Sequence, residues 1–421
     1  MAETKLLKIF YIFFFIYILF IINITSLTFY NLFPSLIFLS LLYFMFRMGT
    51  KITKNKKNIK EFSTPWLLKR GSVFISSLAF ISLMFSFLVV QFYAGQSFVS
   101  VFYNLSNNIS LYAEYQNYFV QNNIGNFSLT KLPFIFMMAF VKFNLFYSYL
   151  SINLFFKKKI PLFYKIYIIV ITFAYLYIGI ARGTNFEMFE FIVLIIYTLI
   201  SKGKKIDIKK YLFMIILIIF SIYIFFNVIE IRGGDGSVNY VISRDVFYNF
   251  DSYLNKFFPT VTLFLLSIYS YFGFGFFYIS IFINKIWFSS LSSIFVYLLP
   301  FGTYAFSKPA LQEEILNYID IGARWHPDSM VFLDRFGFGL LMIFCILLGF
   351  IVNRINTQNI VNTLDYLISF FVVLQMLSFP VGNFITSSTS SQLIVIFLIT
   401  YKLIRQIMRG KKNENRNFND K

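Results

Sequence analysis

Residues 71–92 read GSVFISSLAFISLMFSFLVVQF, 22 positions without a single charge. A bilayer-crossing helix needs about 20 mostly apolar residues, so the stretch reads as a span. Working outward, nine more stretches have the same character: Leu6–Ile24, Phe29–Phe46, Leu132–Phe156, Ile160–Ile180, Phe186–Ile200, Tyr211–Ile229, Phe336–Val352, Val361–Leu377 and Phe384–Ile404. A further apolar stretch, Val261–Ile283, is followed by a shorter one, Ile286–Phe301. Ile286–Phe301 starts Ser-rich, so the pair is expected to lie on or dip into the outer leaflet, giving ten spans; if both cross, there are twelve. Leu6–Ile24 is too long for a typical signal-peptide core and no small-residue cleavage site follows it, so it is expected to stay as a span. The fold class is therefore all-α and polytopic: one membrane domain over residues 1–421, with no strong internal repeat.

Composition agrees. Of the 421 residues, 58% are hydrophobic and 13% charged, against about 45–50% and about 25% in soluble domains. A lone cysteine, Cys345, excludes a disulfide framework. A lone histidine, His326, argues against a histidine-built metal centre. No phosphate-loop or dinucleotide fingerprint is present. The 61 Phe and 29 Tyr rise together with Ile, Asn and Lys, as codon bias in an AT-rich genome would produce.

The net charge of +19 is explained by where it sits. With the N-terminus in the cytoplasm, Lys5 and Lys8 lie inside. So do eight Lys/Arg in 47–70, four in 157–165, five in 202–210, Arg354 and seven in 402–421, which makes 27 of the 37. That is a positive-inside pattern. It accounts for the charge without nucleic acid, leaves anionic headgroups as contacts, and puts both termini in the cytoplasm.

The outer side carries the chemistry. The segment 230–335 is the largest outer loop and holds nine of the 18 acidic residues. Arginine, sparse elsewhere in this Lys-rich chain, concentrates there, and guanidinium forks suit phosphate and carboxylate. Arg232 precedes Gly233-Gly234-Asp235 directly after the seventh span, and Arg244, Arg324 and Arg335 follow. A solvated loop with internal salt bridges would explain any one of them. Arg182 lies in the hairpin Ala181-Arg182-Gly183-Thr184-Asn185-Phe186-Glu187. Thr184-x-x-Glu187 fits a capping box. Glu190 shares a face with Glu187 and has no capping role. Ten residues separate Glu190 from Ser201, roughly 15 Å of helix, so it sits near mid-membrane and needs a wet cavity or a partner. The run Thr386–Gln392 gives the last span a polar outer half too. The two together suggest a cavity open to the outside, with Lys142 of the fourth span along it. His326, in Arg324-Trp325-His326-Pro327-Asp328, is either a general base or a structural hydrogen-bonder. Asp334-Arg335-Phe336-Gly337-Phe338-Gly339 opens the next span, and its glycines suit close helix packing.

With these features the chain resembles bacterial Wzy-type polysaccharide repeat-unit polymerases, of O-antigen or capsule. The resemblance rests on the many short-looped spans, Gly179-Ile180-Ala181-Arg182-Gly183, the arginine after the seventh span, Tyr271-Phe272-Gly273-Phe274-Gly275 in the long loop, and Leu333–Gly339. Some members carry Arg-x10-Gly in two outer loops; here Ser243 and Asn255 stand eleven residues beyond Arg232 and Arg244. The resemblance implies a GT-C-like fold in the bacterial inner membrane, a metal- and cofactor-free glycosyltransferase, and an undecaprenyl-diphosphate-linked glycan as substrate. Its implied partners are membrane lipids and a chain-length regulator protein. In that chemistry Arg182 and Arg232 would stabilise the departing diphosphate, and Glu190 or His326 would take the hydroxyl proton. Arg244, Arg324, Arg335, Asp235, Asp334, Glu187 and Lys142 would line the substrate site. A lipid-linked oligosaccharide flippase and an O-antigen ligase are the competing readings.

The orientation is testable. A cysteine at Asn55 or Asn413 is expected to react with an impermeant thiol reagent only after permeabilisation, and labelling in intact spheroplasts would reverse the topology. Lys285→Cys should be accessible from outside with ten spans and protected with twelve.

Overall fold

The computed structural model describes residues 2–52, 61–107, 109–124, 128–156, 159–201, 241–243, 246–269, 274–286, 327–358, 360–382, 385 and 388–419. Within lipid, each backbone N–H and C=O must be bonded inside its own segment, which makes the apolar runs helices. They are α1 (Ala2–Ile24), α2 (Phe29–Gly49), α3 (Ser72–Ala94), α4 (Phe98–Ser106), α5 (Leu111–Gln121), α6 (Leu132–Phe155), α7 (Leu162–Ala181) and α8 (Phe186–Ser201). After these come α9 (Tyr253–Phe257), α10 (Pro259–Ile268), α11 (Phe274–Ile281), α12 (Asp328–Asn356), α13 (Thr363–Val381) and α14 (Thr389–Asn419). Strands are two or three residues long: β1 (Glu61–Phe62), β2 (Val241–Ser243), β3 (Val246–Phe247) and β4 (Ile360–Val361). The protein is an all-α polytopic membrane protein. Among the described residues seven helices are long and apolar enough to cross: α1, α2, α3, α6, α7, α12 and α13.

Helix α13 is the axis. Of its apolar stretch 83% is buried inside the protein, against 33–44% for the other six. It packs on α1, α2, α6, α8, α11, α12 and α14. One side of the bundle is α3, α6, α7 and α8; the other is α1, α2, α11 and α12. The α2–α12 seam brings backbone against backbone. A Cβ on Gly49 would stand 2.1 Å from the Ile346 carbonyl oxygen, and one on Gly349 2.1 Å from that of Phe46. Small residues allow such approach where helices in lipid gain stability from packing alone.

The two ends of the bundle are tied separately. At the end carrying the N-terminus, called basal, the Glu3 carboxylate accepts from Tyr197 at 3.2 Å and from Asn356 at 3.1 Å. There β1 pairs in parallel with β4. Asn362 and Asp365 form a reciprocal cap on α13, and Lys402 reaches Asp365 at 3.2 Å. At the opposite, apical end, Thr25 bridges to Tyr248 beside the β2–β3 hairpin. Ser201 is thus basal and Val241–Ser243 apical. The expected seventh span, Tyr211–Ile229, falls between them and lies outside the described residues, as does Ile286–Phe301 beyond its first residue.

One expected boundary changes, and two segments gain detail. Of the Val261–Ile283 stretch, the described parts are α10, to Ile268, and α11, from Phe274, which packs into the bundle against α2 and α13, while residues 270–273 lie outside the described residues. A Cβ on Gly275 would stand 2.5 Å from the Pro380 carbonyl oxygen. The last helix starts at Thr389 rather than Phe384. Gly337 is a break in α12, with φ 77° and ψ 168°, a conformation that an L side chain strains to adopt.

Candidate functional site

The site is built on the α7–α8 turn. Gly183 takes φ +59°. Its N–H donates to the Ile180 carbonyl at 2.9 Å and that of Thr184 to Gly179 at 2.8 Å. This pair of bonds is the Schellman closure of a helix, with glycine in the left-handed position. Arg182 becomes the C-cap of α7, where a helix dipole favours a cation, and Glu187 enters the first turn of α8, where it favours an anion. Thr184 is consumed in closing α7, so it does not cap α8. The expected capping box is replaced by a side-chain bond, Thr184 Oγ1 donating to Glu187 Oε2 at 3.0 Å.

Arg182 and Glu187 form an ion pair, with Glu187 Oε1 accepting from the guanidinium. Gly179 admits the carboxylate, since a Cβ there would stand 2.8 Å from Glu187 Oε2 and 3.1 Å from its Cβ. Arg182 Nε also donates to the Ile178 carbonyl at 3.3 Å. Tyr115 of α5 lies beside the same guanidinium. Burial pushes the Tyr115 hydroxyl up from its ordinary value and Arg182 pulls it only part of the way back, so it stays a neutral phenol. The Arg182 side chain is 16% exposed while Glu187 is 1%.

One turn further along α8, Glu190 is fully buried. Lys142 of α6 meets it at 2.6 Å and donates also to Ser391 Oγ of α14 at 2.5 Å. Tyr175 of α7 donates to the other Glu190 oxygen. The Lys142 ammonium lies 5.2 Å from the Phe186 ring centre and 5.7 Å from that of Phe146. Helical side chains lean toward the helix N-terminus. Lys142 and Glu190 therefore both reach toward the apical end, where α6 and α8 begin.

The structure thus brings together Arg182, Glu187, Glu190, Lys142 and the serine run of the last span. It does not place Glu190 on the floor of an open cavity: the carboxylate has no exposed surface. A cavity of about 80 Å³ lies elsewhere, lined by Ser26, Asn31, Ser280 and Asn284 among others. Arg335 is exposed on α12, which packs on α2 and α13, in the other half of the bundle. Arg232, Asp235, Arg244, Arg324 and His326 lie outside the described residues, and so does the Asp334 side chain. Sequence reading missed α4 and α5, which lie at the apical end between α3 and α6. A Cβ on Gly183 would stand 2.6 Å from the Tyr112 nitrogen, and one on Gly95 2.4 Å from the Tyr118 ring. The tyrosines at 112, 115 and 118 recur every third residue, the signal of one helix face.

No protein-family model matches the chain, and no curated protein or solved structure matches it either.

Gly179→Ala is expected to push Glu187 off Arg182 and cost about 1–3 kcal/mol, the usual range for overpacking. Gly71, which has open space around it, serves as the control site. Thermal unfolding of the full chain in detergent reads the difference; equal stability of the two alanine variants would remove the requirement for glycine at 179.

Proposed function

We propose that the chain is a repeat-unit polymerase of bacterial polysaccharide, a GT-C-like glycosyltransferase of the inner membrane with both termini cytoplasmic. It joins undecaprenyl-diphosphate-linked oligosaccharides at the outer face. A sugar hydroxyl of one unit attacks the anomeric carbon of another. The bond from that carbon to the diphosphate oxygen breaks, and undecaprenyl diphosphate leaves with the electron pair.

The observation that carries this reading is Arg182: a guanidinium fixed at the apical boundary of the bundle, braced from behind and open on one side. Its braces do not use all five N–H donors of a guanidinium. Three residues on, the buried Asn185 Nδ2 has no partner among the described residues. Donors in surplus at a membrane boundary suit an incoming anion. Charge develops on phosphate oxygens as the diphosphate departs, and fixed donors stabilise it without reorganisation. Glu187 keeps the fork oriented. Of the two bases expected from the sequence, Glu190 is enclosed and engaged by Lys142, which leaves His326 as the candidate.

A flippase is the second reading, and one observation favours it. Lys142 and Glu190 are buried inside the bundle, where ionisable groups commonly mark transport paths.

The test replaces the chromosomal gene with Arg182→Gln/Glu187→Gln, which removes the cation without stranding a buried carboxylate. The protein is expected to insert normally. Polymerisation should fall about a hundredfold, the effect of losing one transition-state donor, leaving single repeats on glycan gels. Normal chain lengths would take Arg182 out of the mechanism. Lipid-linked repeats trapped on the cytoplasmic side would favour the flippase.

A further inference from the structure

The apical layer contains a second polar cluster that the reaction above does not use. Gln96 follows the left-handed Gly95 that ends α3, Asn104 is on α4 and Glu114 is on α5. Glu114 Oε2 accepts from Gln96 Nε2 at 2.7 Å and from Asn104 Nδ2 at 2.6 Å. Both carboxamides therefore turn their nitrogens to the carboxylate and their oxygens away. Gln96 is only 6% exposed, and its Oε1 is buried with no partner among the described residues. Buried polar atoms in native proteins are nearly always paired, so an orphan acceptor points to a missing donor. Glu114 has no basic group within ion-pair distance among the described residues, and its second oxygen adds to the surplus of acceptors. The adjoining helices are rich in aromatic rings: Tyr112, Tyr115 and Tyr118 on α5, and the exposed Phe98, Phe102 and Tyr103 on α4.

We infer that Glu114, Gln96 and Asn104 form a binding subsite for the hydroxyl groups of a sugar, one that carries no negative charge. Hydroxyls supply the donor that Gln96 Oε1 lacks and further donors for the carboxylate, and the rings offer flat faces to the C–H side of a pyranose. A uronic acid would meet the uncompensated Glu114 and be repelled. Glu114 is on α5, whose first turn docks on Gly183, next to Arg182. The sugar read here is therefore close to the anion held by Arg182, at the reducing end of the repeat unit. This rests on the polymerase reading and adds the residues that select its substrate.

The experiment measures binding to the full-length protein in nanodiscs. The probes are undecaprenyl diphosphate alone and the lipid-linked repeat unit extracted from a strain lacking this gene. Glu114→Gln keeps size and removes the charge, and Gln96→Leu removes the orphan acceptor. Each is expected to weaken binding of the repeat unit at least tenfold and to leave undecaprenyl diphosphate binding unchanged, which also shows that the variants fold. Unchanged repeat-unit binding in both variants would overturn the subsite and leave the polymerase reading standing. Failure of the wild type to bind either probe would sink the polymerase reading, and the subsite with it. Stabilisation of the wild type by calcium or sodium chloride, lost in Glu114→Gln with glycan binding intact, would reassign the cluster to a cation.

Discussion

A charge inside a hydrocarbon-embedded bundle must find its opposite, and the contact of Lys142 with Glu190 is where this chain meets that demand. Three helices far apart in sequence are committed by it. Lys142 comes from α6, Glu190 from α8, and Ser391, the second acceptor of the ammonium, from α14. Tyr175 adds α7 by donating to the other oxygen of the carboxylate. Once those four helices are fixed, the α7–α8 turn above them has one position, and so has Arg182. The pairing is ordered along α8: Glu187 takes Arg182 and Glu190 takes Lys142. The two carboxylates, one turn apart on a helix face, would otherwise repel.

Glycine makes the remaining approaches. Gly179 lets Glu187 reach the guanidinium, and Gly183 lets α7 close beneath the first turn of α5. Gly49 and Gly349 do the same for α2 and α12 in the other half. Between the halves α13 fills the centre, and among the described spans it alone buries most of its apolar stretch inside the protein. The result is a rigid basal body that presents short, aromatic-rich helices and an arginine-bearing turn at the apical end.

The spans were legible because an uncharged run of about 20 residues has one stable solution in lipid; α3 begins and ends within two residues of its reading. Lys142, Glu190 and the serine run were each legible as polar groups at depth. Their meeting was not, because it depends on how α6, α8 and α14 pack. The capping reading of Glu187 failed on a single point: Thr184 spends its N–H on closing the preceding helix. Helices α4 and α5 were missed because they are short and mixed in polarity. What settles α5 is docking on Gly95 and Gly183, long-range contacts that no local pattern carries. The glycines of 336–339 read as packing residues, and the positive φ that Gly337 takes is a property invisible in composition.

The dependence of the site on the buried pair is measured most directly by a double-mutant cycle on Lys142→Met and Glu190→Leu, read by thermal unfolding of the full chain. If the pair holds the four helices, either single change strands a buried charge and costs about 3–5 kcal/mol, while the double variant recovers most of that loss. Losses that simply add, within about 0.5 kcal/mol, would mean that the two residues do not depend on each other, and the organisation drawn from them would be wrong.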